Sequence, residues 1–531
     1  MSELSSKLCL AGLSEDILLS IVSYLEPPCI LRLGETCKRL HEFTSLRVVW
    51  VHEATLHVIM QGLPFLEVDL DELSTSDLIA HTIHGYSLAH RWVNGISSPK
   101  RVVNVTGTSG ISVSDVRFVP GRDNLLVTIS KSIWSALSIW DIDDGVNSKK
   151  LCEWSPRGAI FTGFALNSDE NSEATIAVSL QLNDRHFVEL LTLFTTEDST
   201  CLLKRLFSVD TTMKPVTLVG DLIALTDDTA QTAIWNWKEG TYAILEHPTN
   251  NPTLIQSNEC IQVVFARQSI LVVRARCMYL FPFPTFSLPN PSTDTSPPSY
   301  EPIAQHSFGW VDSECVRVCP FLEGSQYQGL WPPLSILVRG ESDDPWASDI
   351  HNLELYTLDP NPSFDSHHQP HPRIRQENND TPANASSSWN DQDPSVSPYV
   401  FPTRLTHEVA CLRGSLRCKQ VALGRFGTAF WVQPRDRFPG GLLADIPTHL
   451  MPSSSSRNET LVAAVFPGSL NPRSSRKKKG EADNASYGTT VIGSNIFEND
   501  AGSSWTSFDY DEVGGRVALG SSFGKVTILQ L

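Results

Sequence analysis

A chain of 531 residues is longer than one hydrophobic core normally spans, so a large domain with a smaller attachment is expected. Hydrophobic residues at 41% and charged residues at 19% are an ordinary globular balance, which excludes wholesale disorder, and 13 Trp with 23 Phe can fill a sizeable core. The formal net charge of -18 excludes bulk attraction to nucleic acid or to an anionic membrane, since both call for basic surfaces.

Met1 to Gly12 lack a basic stretch followed by a long apolar run, and Glu15 and Asp16 follow at once, so no signal peptide is expected. Nowhere do about 18 apolar residues run uninterrupted, so no bilayer span is expected either. The 11 cysteines are odd in number and scattered without a CxxC, Cys315 and Cys319 being the closest pair. Such usage fits reduced thiols in a cytoplasmic or nuclear protein better than a disulfide framework. Asn-x-Ser/Thr triplets at Asn104, Asn384, Asn458 and Asn484 would matter only in a secreted chain.

From Leu13 to about Trp92 the apolar residues recur at helical spacing. Ser14 is placed to cap a first helix, with Glu15 and Asp16 in the turn where the helix dipole favours negative charge. Ile17, Leu18, Ile21, Val22 and Leu25 then fall on one face. Pro27 and Pro28 are expected to end that helix, because a ring in place of the N–H cannot continue the ladder. Ile30 to Thr36 reads as a second short helix, and Cys37, Leu40, Phe43 and Leu46 fit a third, with Cys37 as a small buried apolar side chain.

The run LSEDILLSIVSYLEPPCILRLGETCKRLHEFTSLRVVW, Leu13 to Trp50, resembles the F-box. It has the Leu-initiated first helix, the Pro-marked turn, the Leu-x-Leu second helix, the Cys-Lys-Arg-Leu start of the third and a closing Trp. Leu13-Ser14 departs from the usual Leu-Pro opening, so a hydroxyl stands where that family has a ring. The resemblance implies contact with a Skp-type adaptor through Leu13, Ile17, Leu18, Leu25, Pro27, Leu31, Cys37, Leu40 and Trp50, and through it with a cullin-RING assembly. A physical argument points the same way: a segment of about 40 residues without metal or disulfide cannot bury enough surface to stand alone. The competing reading is that these helices pack on the rest of the chain as a cap. Thr75 to Trp92 reads as a further helix, with Leu78, Ile79, Ile83, Tyr86 and Ala89 as packing positions; it is either a spacer or a cap.

From about Arg101 the texture changes to short apolar runs rich in Val, Ile, Leu and Thr, parted by Gly, Asp, Asn and Pro. Val113–Val119, a Pro-Gly-Arg-Asp-Asn turn, Leu125–Ser130 and Leu137–Ile142 have the make-up of one blade, and Trp140-Asp141 is the dipeptide that ends the third strand of a WD repeat. Trp235-Asn236 is a second such ending, and weaker third-strand echoes lie at Val188–Phe194, Met278–Phe283, Leu353–Leu358, Ala429–Val432 and Val526–Leu531. The expected organisation is multidomain: a tail (1–12), a small all-α F-box (13–50), a helical linker (51–100), and a large all-β domain (101–531), read as a β-propeller of about seven blades. Six or eight blades remain open, and a pair of β-sandwiches is the rival. Arg101–Val105 is expected to complete the last blade and close the ring. The Pro-, Ser-, Asn- and Thr-rich stretches 284–300, 360–397 and 452–486 read as polar insertions, loops or disorder.

His81 and His84 lie three apart on a helix, but no third ligand completes a metal set. His367, His368 and His371 sit in a polar insertion, and Arg473 to Lys479 is a basic run that reads equally as a nuclear-import signal or a solvated loop. The chain has no G-x-S-x-G, Walker-type, Rossmann-type or HExxH motif, so catalysis, cofactor and metal have no evident home. The expectation is a non-catalytic receptor that hands a protein substrate to a ubiquitin ligase. An interaction scaffold is the alternative, and a propeller-based hydrolase, which would need converging acid and base groups in the channel, is the third.

Overall fold

The computed structural model describes residues 9–96, 98–106, 110–122, 124–142, 148–195, 201–228, 231–248, 258–286, 298–309, 311–318, 330–340, 350–365, 396–434, 458–470 and 489–531. Four short helices open the chain: α1 (Glu15–Val22), α2 (Pro27–Gly34), α3 (Lys38–Thr44) and α4 (Arg47–Glu53). Ser14 takes the N-cap position of α1, although its side chain makes no capping hydrogen bond. Pro27 and Pro28 do not end α1, which stops at Val22; they start α2. The first helical positions have no intrahelical use for an N–H, so a proline there costs nothing and presets φ. Leu46 belongs to the N-cap of α4 rather than to α3, and Trp50 lies on α4. A π-helical turn over Ala54–Ile59 follows, and then the long α5 (Thr75–Asn94). Its N-cap, Ser74, accepts from Asp77 N at 3.2 Å.

Leu18, Val22, Ile30, Leu40, Phe43, Val49 and Trp50 pack into one core with Ala54, Val58, Phe65, Leu78 and Tyr86. The small unit therefore solves part of its burial problem within the chain, by enlisting the segment after it. Gly85 of α5 marks the tightest point, because a Cβ there would stand 2.2 Å from Pro64 O. Gly85→Val is accordingly expected to lower stability by about 1–3 kcal/mol through overpacking. Thermal unfolding of the variant checks this; an unchanged midpoint would refute the close approach.

Among the described residues the strands form seven sheets, each built from consecutive antiparallel strands. In chain order blade 1 spans 112–154, blade 2 160–210, blade 3 214–246, blade 4 260–307, blade 5 311–412, blade 6 421–498 and blade 7 505–530. Short parallel additions, Ser299–Tyr300 and Thr489–Thr490, flank blades 3 and 5. Arg101–Thr106 pairs antiparallel with Lys525–Gln530, Val103 opposite Ile528 and Val105 opposite Val526, so the start of the β domain supplies the outer strand of blade 7. This is a seven-bladed propeller, with its two ends locked into one sheet.

Trp140-Asp141 and Trp235-Asn236 end the third strands of blades 1 and 3, Ser135–Asp141 and Gln231–Asn236. Ala429–Val432 does not belong to a third strand: it lies on the second strand of blade 6, Thr428–Gln433. The third is Thr460–Val465, inside the stretch read as a polar insertion. Five apolar residues there are outweighed in a composition window by Ser453–Ser456 and the basic run, yet the sheet needs only one short strand. The remainder of that stretch, with most of 284–300 and 360–397, His367, His368, His371 and Arg473 to Lys479, lies largely or wholly outside the described residues. Among the described residues no helix is long and apolar enough to cross a membrane.

Candidate functional site

The nine residues expected at an adaptor surface divide by burial. Leu18, Pro27, Leu40 and Trp50 are buried by the chain itself; Leu13 and Leu25 are half-buried; Ile17, Leu31 and Cys37 are exposed. Trp50 is fixed by a 2.6 Å hydrogen bond from its Nε1 to Thr44 O, and the guanidinium of Arg39 reaches back to Leu13 O at 2.8 Å. The first group thus shapes the unit, and any outside protein meets the last. Cys37 is not the buried side chain that its sequence context predicts, because it occupies the extended N-cap of α3 (φ -159°, ψ 161°), where the chain turns outward between helices. Sequence reading missed Tyr24, Leu46 and Val48, which add exposed apolar surface to the same unit. For Tyr24 and Val48 the signal was an apolar side chain out of phase with the core stripe, whereas Leu46 read as in phase on the third helix.

Glu53 sits fully buried at the end of α4, its oxygens without a hydrogen bond and 3.5 Å from His57 Nε2. Burial pushes its carboxyl from 4.5 up to about 7. With a folded pKa above the unfolded one, the folded state holds the proton between those values, so this group favours folding most below 4.5 and loses that contribution as pH rises through about 7. Glu53→Gln is expected to raise the melting midpoint at about pH 8 and change it little near pH 5. A parallel shift at both pH values would contradict the assignment.

The long α5 joins the two halves. Its first turns, through Leu78 and Tyr86, belong to the helical core, while Leu88, Ala89 and Trp92 enter the core shared by blades 6 and 7. Trp92 meets Phe430 edge-on at 5.4 Å. His84 Nε2 lies 3.0 Å from Val513 O, and burial lowers its pKa. His81 packs edge-on to Phe65 at 6.4 Å, so the pair of histidines serves packing. The helix is spacer and cap at once.

At the end of the ring nearest these helices, where the first-to-second strand turns gather, the channel widens into a cavity of about 980 Å³. The innermost strands of all seven blades contribute to it, and Leu66, Glu67 and Val68 of the linker border its mouth. Its arginines are already engaged. Arg117 lies between Asp115 (3.4 Å) and Asp509 (3.7 Å), Arg317 Nε donates to Leu423 O at 3.1 Å, Arg516 pairs with Asp511 at 2.6 Å, and Arg425 pairs with Glu67. Neighbouring inner strands are stitched in the same manner: Thr217 Oγ1 donates to Val263 O, Gln262 Oε1 accepts from Val316 N, and Gln420 Oε1 accepts from Phe508 N, all within 2.8–3.0 Å. Glu512 accepts from Phe426 N at 3.2 Å, and burial pushes its carboxyl up to about 7. Most of these contacts hold blade to blade, while Arg516–Asp511 lies within blade 7 and Arg425–Glu67 ties blade 6 to the linker. Among the described residues no three His, Cys, Asp or Glu side chains converge to hold a metal.

Residues 15–52 match the F-box-like family. No curated protein matches the chain. Similar solved chains come from polycomb repressive complex 2 assemblies. One, from an active complex in the basal state, is 11% identical, with 83% of this chain and 98% of that chain covered, at a TM-score of 0.44. Another, from the Chaetomium thermophilum complex bound to GSK126, is 11% identical over 82% and 99% at 0.45. A third, from a humanized mutant of the Chaetomium thermophilum complex bound to GSK343, is 12% identical over 82% and 98% at 0.46. The propeller stands on the seven sheets themselves. The class is thereby defined as an F-box-like helical module carried by a seven-bladed β-propeller. More particularly, the chain is an F-box protein with a propeller.

Proposed function

We propose that the chain is the substrate-recognition subunit of an SCF-type ubiquitin ligase. On this reading 13–50 binds a Skp-type adaptor and through it a cullin-RING assembly, 51–100 links, and 101–531 holds a protein target. The observation that carries the reading is the F-box-like match together with apolar side chains, Ile17 and Leu31 first among them, left exposed on α1 and α2. The strut formed by α5 supports it, since ubiquitin transfer needs a fixed distance between adaptor and target, and one helix rooted in both cores supplies stiffness. On this reading the role is non-catalytic: the channel's arginines are engaged with carboxylates or a backbone carbonyl, and the chemistry belongs to the recruited ubiquitin-conjugating enzyme. A cytoplasmic or nuclear site of action follows from that partnership.

The test is to identify proteins labelled in proximity to the chain, with and without proteasome inhibition, and to follow their half-lives when the cullin is inhibited. At least one neighbour is expected to persist longer. Adaptor capture with every neighbour's half-life unchanged would favour a non-degradative scaffold instead.

A further inference from the structure

In blades 1, 2 and 7 the second-to-third strand turn lies at the end of the ring away from the helices. Turns normally carry Gly, Asn, Asp or Ser, because these residues solvate well and tolerate turn dihedrals. In blade 1 that turn is Ser132-Ile133-Trp134, and Ile133 is 83% exposed and Trp134 40%. The blade 7 turn carries Phe523 at 60%, and the blade 2 inner strand begins with Ile160 at 48%. The backbone links these positions in a row. Phe523 O accepts from Gly110 N at 3.2 Å, Ser112 pairs with Lys131, and Ser135 N donates to Ala159 O at 2.8 Å beside Ile160. Four large apolar side chains displayed on three adjacent blades are more than the isolated exposures a soluble surface ordinarily shows.

The charge in these turns is mostly positive, although Lys131 also faces Asp115 from the channel side. Within 131–135, 155–160 and 182–185 the cations are Lys131, Arg157 and Arg185, and the single carboxylate is Asp184. A Cβ placed on Gly158 would meet Leu182 Cδ1 at 3.7 Å, so the turn holding Arg157 lies against the turn holding Arg185. Both arginines are exposed, and neither makes an ion pair among the described residues. On a chain of net charge -18 this is a local reversal, and it contrasts with the arginines of the channel, which are all engaged.

We propose that the rim of blades 7, 1 and 2 at this far end docks the target, and that the target presents an acidic peptide segment with an apolar anchor. The inference rests on the reading of the propeller as the target-holding half. The anchor covers Ile133, Trp134 and Ile160, with Phe523 at one flank; flanking Asp or Glu side chains meet Arg157, Arg185 and Lys131. Arg and Trp are the side chains that most often dominate binding energy at such contacts. The opposite end of the channel is bordered by the linker, so docking at the far rim leaves the helical unit free for its own partner.

The test uses the full-length protein and fluorescein-labelled synthetic peptides with a Leu, Phe or Trp centre flanked by Asp and Glu, read by fluorescence anisotropy. Lys-flanked and phosphoserine-flanked versions, phosphatidylserine vesicles and self-association are measured beside them. The acidic peptides are expected to bind in a salt-sensitive way, and Ile133→Ser with Trp134→Ser, or Arg157→Glu with Arg185→Glu, is expected to weaken them by about tenfold or more. Ile133→Ser alone, at an 83% exposed turn, guards against loss of fold as the explanation. Undiminished binding by these variants, no binding of any acidic peptide, or preference for the Lys-flanked peptides, phosphoserine, vesicles or a second copy would overturn the proposal. Adaptor capture from the same preparations separates the two readings. If it persists while the peptides fail, the docking rim alone is wrong; if it is absent while the peptides bind the rim, the ligase reading is wrong and the rim stands.

Discussion

Ile17→Asp combined with Leu31→Asp is expected to abolish capture of a Skp-type adaptor by the intact chain, while leaving its circular dichroism and melting midpoint close to those of the parent. Ile17 is 49% and Leu31 39% exposed, so neither carboxylate is forced into the helical core. Covering the exposed part of each side chain is worth about 1 kcal/mol, and placing a charge there instead adds a desolvation cost on the partner's side. Together the two exchanges are expected to weaken capture by more than about 30-fold, the scale at which truncation of central interface residues is felt. Leu18→Asp is a blunter probe. Leu18 is 1% exposed and packs in the helical core, so that variant would lose capture by unfolding the unit. Full capture by the double variant in a pull-down with purified adaptor would remove α1 and α2 from the interface and with them the ligase reading.

The second large effect concerns closure of the ring. Val105 and Val526 face each other across the strand pair that joins the two ends of the β domain, and both are buried between blades 7 and 1 with Val116, Leu126 and Ile528. Val105→Asp is expected to cost more than about 3 kcal/mol, because a carboxylate must either be desolvated or stay protonated there. That is a large share of an ordinary domain's stability of about 5–15 kcal/mol, and loss of the strand would also bare the edge of Lys525–Gln530. Val102→Asp, on the same strand but 42% exposed, is expected to shift the midpoint hardly at all. Urea unfolding of the pair decides the matter. Equal sensitivity at the two positions would mean that the strand does not close the ring as described.

The buried carboxylates of Glu53 and Glu512 and the buried histidines pull stability in opposite directions. Both carboxyls are raised to about 7 by burial, so their contributions fade as pH rises to neutrality. His351, lowered to about 3 by burial beside Arg339, and His247, lowered by burial beside Arg274, stay neutral in the fold. Their contribution is complete above an unfolded value of 6.5 and is lost on acidification below it.

The features written in local order were legible in the sequence alone. The Leu13 to Trp50 run carried the helical module, because fixed spacing on short helices needs no distant contact to be legible. Trp140-Asp141, Trp235-Asn236 and the terminal Val526–Leu531 run carried the blades, since a repeated unit states its pattern each time. Arg101–Val105 was legible as the closing strand, and it pairs with Lys525–Gln530.

Which apolar side chains of the helical module face inward is set by packing between distant segments. Leu18 and Ile17 are neighbours of equal hydrophobicity, and what separates them is the arrival of Phe65, Leu78 and Tyr86 from later segments. The same holds for Thr460–Val465, whose strand exists because Thr428–Gln433 and Ser494–Glu498 flank it, despite polar neighbours in sequence. Ile133 and Trp134 fall between the Leu125–Ser130 and Leu137–Ile142 runs, and their exposure at the rim came only with the turn that joins the two strands. Periodicity reports a residue's phase within its own element; burial depends on what else comes to cover it, and that is settled by contacts between segments far apart in the chain.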